Sequence, residues 1–156
     1  MAHKRKGFEI TLIRRRRIDD LAKKVGCPLN WNRAPGVQWN GKSVACKDQD
    51  ASNIVHDIAH YAVATKKARK SLDYGLGAGP DTKHGSYTYD AMDPIYTYDE
   101  CRAIERKASA LGIYWERMLK LPWKDTLAYH NWDSLAEIKK DWRKLSRHIN
   151  KVGVIK

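Results

Sequence analysis

Apolar residues recur along this chain mostly at helical spacing. From Ile10 to about Val25, the positions Ile10, Ile13, Ile18, Leu21 and Val25 fall roughly on one side of a helix, with Arg14 to Arg17 largely outside it. Gly26 and Pro28 stop that helix. Residues 27–36 hold Pro28, Asn30, Asn32, Pro35 and Gly36 and read as a loop. Next, Asn40-Gly41 lies between the strand-like runs Val37-Gln38-Trp39 and Ser43-Val44-Ala45-Cys46, a strong signal for one small β-hairpin. Asp48 to Asp50 and Ser52 offer N-caps for a second helix that runs to about Leu72 and buries Ile54, Val55, Ile58, Ala59, Ala62 and Val63.

A glycine string from Tyr74 to Asp81 ends that helix. It lacks the Lys-Ser/Thr of a phosphate loop and the spacing of a dinucleotide fingerprint. Residues 82–97 predict a long ordered loop, a candidate lid. Thr97-Tyr98-Asp99-Glu100 forms a capping box for a third helix to about Lys120, whose core stripe is Ile104, Ala108, Leu111, Trp115 and Met118. Pro122-Trp123 opens a short helix to Tyr129. A second capping box, Ser134 to Glu137, starts an amphipathic helix over 134–152, with Leu135, Ile138, Trp142, Leu145, Ile149 and Val152 on its apolar face. That repeat lasts under three heptads, which favours docking on the chain's own core over a coiled coil. The expected architecture is mainly α, strictly α+β with one small β-hairpin. It is a single domain over 1–156, with a disordered basic tail at 1–9.

Composition fits this picture. The 156 residues are 42% hydrophobic, with six Trp and eight Tyr, which is enough to build a core. No apolar run approaches a membrane span, and the start lacks a signal peptide's apolar segment, so a soluble cytoplasmic protein without membrane contact is expected. Cys27, Cys46 and Cys101 are odd in number and far apart, which reads as reduced thiols. Charge adds a partner class. The net +12 is concentrated at His3 to Lys6, Arg14 to Arg17, Lys66 to Lys70 and Lys139 to Lys151, a field that attracts nucleic acid or another polyanion. Arg14, Arg15, Arg16 and Arg17 are the candidate contacts. A solvated helix face would give the same run of arginines.

The candidate chemistry lies in the second helix. His56 and His60 are four residues apart, so both imidazoles share a face and can reach one metal ion. Asp57 follows the first His, where the metalloprotease signature has Glu. Two hydrogen-bonded histidines at a helix edge would satisfy the same spacing, but an unpartnered imidazole inside an apolar run is costly. A metal needs a third ligand, and the third helix offers Glu100, Glu105 and Glu116. Glu105 shares a stripe with Ser109 and Gly112, whose small size leaves room for another helix and an ion, and this favours it over Glu100.

One resemblance spans residues 54–111. His56-Asp-Ile-Ala-His60-Tyr, then Lys67-Ala-Arg69, Asp73-Tyr-Gly75, Pro80-Asp81 and Glu105-x-Lys107-x-x-Ala-Leu111 resemble, in order, motifs of the elongation factor P hydroxylase family. Those proteins carry a His-Glu-x-x-His-Trp element in the first position. The resemblance implies a small metal-dependent hydroxylase acting on a protein side chain, a lysine of a translation factor. Its one divalent ion would be Fe(II), with Zn(II) as the alternative, held by His56, His60 and Glu105. Two His and one carboxylate leave metal positions open for dioxygen and substrate. The same motifs point to Arg69, Asp73, Tyr74 and Asp81 as substrate contacts and to Asp57 as a catalytic group. Asp57 replaces the family's Glu with a shorter arm, which suits a general base less and a ligand-orienting role more. Two other readings stand beside this one: a zinc metallopeptidase, and a non-enzymatic basic protein that binds nucleic acid or another protein.

Overall fold

The structure, a computed structural model, describes residues 5–76, 94–130, 132 and 134–155. Helix α1 spans Leu12–Val25. The Thr11 hydroxyl caps its start and Gly26, at φ +86°, closes its end in the left-handed conformation that glycine adopts without strain. Its buried face is Ile18, Leu21, Ala22 and Val25. Ile13, expected on that face, is 62% exposed. The reason is phase: one turn before Ile18 the buried stripe passes through position 14, where half-buried Arg14 sits and pairs with Glu9 at 3.8 Å.

Residues 5–9, part of the stretch 1–9 expected as a disordered tail, are held against the core; residues 1–4 lie outside the described residues. Phe8 is 1% exposed, and its carbonyl accepts from the Ala51 amide at 2.8 Å. The Arg5 amide donates to Asp50 at 2.7 Å, and its guanidinium donates to Ser52 and Thr126, each at 3.1 Å. Burying one phenyl ring and satisfying these polar groups outweighs the entropy of a short tail.

The expected hairpin forms only as a turn. Gly41 has φ +87° and the Asn40 side chain accepts from the Lys42 and Ser43 amides, but a single antiparallel bridge follows, Trp39 to Val44. The two-stranded sheet is parallel, with β1 (Leu29–Asn30) and β2 (Val44–Ala45) paired Leu29 to Val44 and Asn30 to Ala45. The antiparallel ladder stops because Trp39 is committed elsewhere. Its amide donates to Asp73 Oδ1 at 3.0 Å and its indole N–H to the Arg69 carbonyl at 2.8 Å.

Helix α2 (Ala51–Val63) starts at the Asp50 cap and ends earlier than expected. Ala64 turns to an extended ψ of 143°, and Thr65 caps a new short helix, α3 (Lys66–Arg69). A Thr hydroxyl competes for backbone amides in just this way. A 3-10 turn at Leu72–Gly75 follows. Helix α4 (Tyr98–Met118) begins at the Thr97–Glu100 capping box, and buries Ala108, Leu111 and Trp115 of the expected stripe. Helix α5 is Trp123–Tyr129. The C-terminal amphipathic run breaks into α6 (Leu135–Lys144) and α7 (Ser146–Val152), because the Leu145 amide splits its bond between the Asp141 and Trp142 carbonyls.

The molecule is mainly helical, and its centre is the pairing of α2 with α4. The two run antiparallel, since Ser52 meets Glu116 at one end and His60 meets Glu105 at the other. Helix α1 covers α2 and touches α7, while α6 lies on α4. There the Trp142 indole donates to the Ala110 carbonyl at 2.6 Å, and Arg106 pairs with Glu137 and Asp141 at 2.8 and 3.0 Å. Among the described residues no helix is long and apolar enough to cross a membrane.

Candidate metal centre

Ser52, His56 and His60 recur every four residues on α2, so they form one polar row facing α4. The facing row on α4 is Glu105, Ser109, Gly112 and Glu116. Gly112 is what lets the helices close: a Cβ there would lie 3.4 Å from His56 Cα and 3.7 Å from Ala59 Cβ. This matches the room expected from the Ser109–Gly112 stripe.

Close approach brings three ligands together. His56 Nε2 lies 2.7 Å from one Glu105 oxygen and His60 Nε2 lies 2.9 Å from the other. The two Nε2 atoms are 3.0 Å apart. His60 is buried, while the side chains of His56 and Glu105 are about a quarter exposed, so the cluster sits at the end of a buried seam with one side open. Among the described residues these are the one group of three or more His, Cys, Asp or Glu whose ligand atoms lie within 4.8 Å of one another. Burial alone would raise the Glu105 carboxyl, but the charges and hydrogen bonds of His60 and His56 hold it well below the usual carboxylate range.

The donor set fits a metal ion. Two ring nitrogens and a carboxylate converge on one small space, and at most one proton fits between two Nε2 atoms at 3.0 Å. A divalent cation would satisfy all three lone-pair directions at once. The structure therefore brings Glu105 to the pair. Glu100 is exposed and spends its carboxylate on the Thr97 amide at 2.9 Å. Glu116 is buried at the other end of the seam, bonded to the Ser52 hydroxyl. Burial pushes its carboxyl up to about 7.

Asp57 lies beside this cluster and is buried. Desolvation pushes its carboxyl up to about 8, opposed by His56 and reinforced by Asp73 and Glu105. Of the remaining motif residues, Arg69 donates from Nε to the Tyr61 carbonyl at 3.0 Å and lies 4.0 Å above the Tyr61 ring. Asp73 accepts from the Trp39 amide, and burial raises its carboxyl. Tyr74 is buried and donates to the Asp57 carbonyl at 3.0 Å. All three are engaged by the chain itself. Asp81 and most of the expected lid lie outside the described residues. Arg15 and Arg16 are exposed on α1, with Arg15 4.5 Å above the Trp31 ring, and Arg17 is half-buried.

Sequence reasoning missed His130. It follows α5 and stacks on His56 with ring centroids 5.4 Å apart and 12° between planes. Burial lowers its imidazole to about 4. No sequence signal marks it, because the spacing of 74 residues from its partner follows from the path of three helices. Cys27, Cys46 and Cys101 are free and buried, as expected, and burial pushes the Cys46 thiol up to about 12. No family model, curated protein or solved structure matches this chain.

Proposed function

We propose that this chain is a small non-haem metal enzyme of the hydroxylase type, with His56, His60 and Glu105 holding one Fe(II) ion. The observation that carries this reading is the convergence of both Nε2 atoms on the two oxygens of Glu105. Two imidazole nitrogens and one carboxylate are a donor set that would hold such an ion. An Fe(II) ion so held supplies oxygen-activating chemistry and keeps positions free for a substrate.

The chain's own residues do the rest. His56 and His60 bind through Nε2, and Glu105, held ionised, supplies the negative charge. Asp57 is buried and has a shorter arm than the Glu that takes a proton from water in a zinc metallopeptidase, which weighs against that reading. The ordered motifs from His56 to Leu111 support the elongation factor P hydroxylase resemblance, and with it a lysine side chain of a translation factor as substrate. The three free cysteines fit the reducing cytoplasm.

A second reading keeps the basic surface as the function. Helix α7, with Arg147 and Lys151, packs on α1, with Arg16, Arg17 and Lys23, so two basic runs far apart in sequence adjoin. That favours binding of nucleic acid through its phosphates.

Metal analysis separates the two. Protein reconstituted with Fe(II) should retain about one equivalent through gel filtration, lose it in Glu105→Gln and in the His56→Ala, His60→Ala double variant, and consume oxygen only when loaded. Saturation at 100 times Kd should add about 2.7 kcal/mol of stability. A wild type that retains no metal and whose stability EDTA leaves unchanged refutes the enzyme reading. RNA affinity that falls steeply with salt, and falls again in a variant with Arg15, Arg16 and Arg17 changed to Gln, would support the second.

A further inference from the structure

A histidine that binds metal through Nε2 usually donates its Nδ1–H to a carboxylate or carbonyl, and that bond fixes the plane of the ring. Among the described residues, His60 Nδ1 is buried without a hydrogen-bond partner. Something else must hold the ring, because rotation about the bond to an imidazole is soft.

Each imidazole of the pair lies nearly parallel to another ring. Tyr74 stacks on His60 with centroids 5.6 Å apart and planes 14° apart. His130 stacks on His56 at 5.4 Å and 12°. Tyr74 is itself backed by Trp39 at 5.2 Å and 10°, so Trp39, Tyr74 and His60 make a file of three near-parallel rings. The two imidazoles meet at 80°, edge to face, and each has its aromatic partner.

The Tyr74 side of this arrangement is built against a local cost. Asp73 and Tyr74 both take positive φ, +41° and +58°, a left-handed conformation that bulky residues avoid. Two consecutive residues in that region persist only where their surroundings over-determine them. The surroundings here are specific. The Asp73 amide donates to the Trp39 carbonyl at 2.9 Å while its carboxylate accepts from the Trp39 amide at 3.0 Å, and the Tyr74 hydroxyl donates to the Asp57 carbonyl at 3.0 Å. The strained turn and the backing indole place one phenol face against His60.

We propose that Tyr74 and His130 are positioning residues that set the planes of His60 and His56, one ring each, so that both Nε2 lone pairs meet at Glu105. The inference rests on the metal reading above and concerns how the ligands are held. A flat neighbour blocks rotation of the imidazole, and a rotated imidazole swings its Nε2 lone pair off the shared point. The ring face of Tyr74 and His130 carries this function, and their polar atoms do not.

The test uses the full chain, with Zn(II) for affinity and Co(II) for its visible absorption, in two pairs of variants. His130→Phe keeps a ring and His130→Leu removes it at a half-buried position. Tyr74→Phe keeps the ring and loses the hydroxyl bond, while Tyr74→Leu removes both. The Phe variants should bind both ions within about twofold of the wild type and keep its Co(II) spectrum. Loss of an outer-shell partner typically weakens a metal site by about 10- to 100-fold, and His130→Leu should do so and shift the Co(II) bands. If Tyr74→Leu fails to fold, the His130 pair decides the matter alone. His130→Leu and His130→Phe both matching the wild type overturns the inference while leaving the metal site standing. His130→Phe as impaired as His130→Leu also overturns it, by assigning the role to the imidazole nitrogens. A wild type that binds neither ion overturns the metal reading and this inference together.

Discussion

Gly112 is the position where α4 comes nearest the ligand-bearing turn of α2, and two substitutions there separate packing from metal geometry. An added Cβ would stand 3.4 Å from His56 Cα, 3.7 Å from Ala59 Cβ and 3.8 Å from His56 N. Those are contact distances without overlap, so Gly112→Ala fits with almost no movement. Replacing a mid-helix glycine by alanine favours the helix by about 1 kcal/mol, which in a chain of this size raises Tm by about 2–4 °C. Gly112→Val behaves differently. Its methyls reach about 1.5 Å beyond Cβ into space that His56 already closes, so the helices must part, at a cost of about 1–3 kcal/mol. Glu105 lies two turns along α4 from Gly112, and parting the helices carries it away from His56 and His60. Metal sites tolerate ligand displacements of only about 0.2 Å, so Zn(II) affinity should fall at least about tenfold in the valine variant and change less than about twofold in the alanine variant. Thermal unfolding of metal-free protein and zinc titration against a competing chelator read the two quantities separately. A valine variant that is destabilised yet binds zinc as tightly as the wild type would show that the approach of α2 to α4 does not set the ligand geometry. An alanine variant destabilised by more than about 1 kcal/mol would show that the seam is tighter than these contact distances allow.

Two further outcomes test the buried end of the seam and the N-terminal segment. Burial raises Glu116 from 4.5 to about 7, so the folded state holds a proton that the unfolded state has lost between those values, and the stability this confers fades as pH rises through 7. Glu116→Gln removes that dependence. Urea unfolding of metal-free protein should show the variant gaining on the wild type by up to about 3 kcal/mol between pH 4.5 and 7.5, and an unchanged gap would refute the assignment. Phe8→Ala should cost about 3–5 kcal/mol in the same assay, whereas a change under about 1 kcal/mol would return residues 5–9 to the status of a loose tail.

Local chemistry made much of this protein legible in its sequence. The Thr97–Glu100 capping box fixed the start of α4, and Gly26 fixed the end of α1. The Ser109–Gly112 gap beside Glu105 placed the third ligand opposite His56 and His60 once α2 and α4 paired. What escaped was set by tertiary competition. Thr65 ended α2 by offering its hydroxyl to a new helix, and nothing in the apolar spacing around Val63 announces that. Leu145 bends the C-terminal run without glycine or proline. Trp39 left its expected ladder because Asp73, 34 residues on, took its amide. His130 reached His56 through the packing of α5, which no periodicity encodes.

The two glutamates of the α2–α4 seam have partners of different kinds. The Glu116 carboxyl bonds the Ser52 hydroxyl, to which the Arg5 guanidinium also donates, so its partners are tethered by the polypeptide itself. Among the described residues Glu105 meets the two imidazoles, and a metal there would have to arrive from solution. One end of the helix pair is thus complete as soon as the chain folds, and the other depends on what the surroundings supply. Metal binding should accordingly slow amide exchange around His60 while leaving the amides around Ser52 little changed.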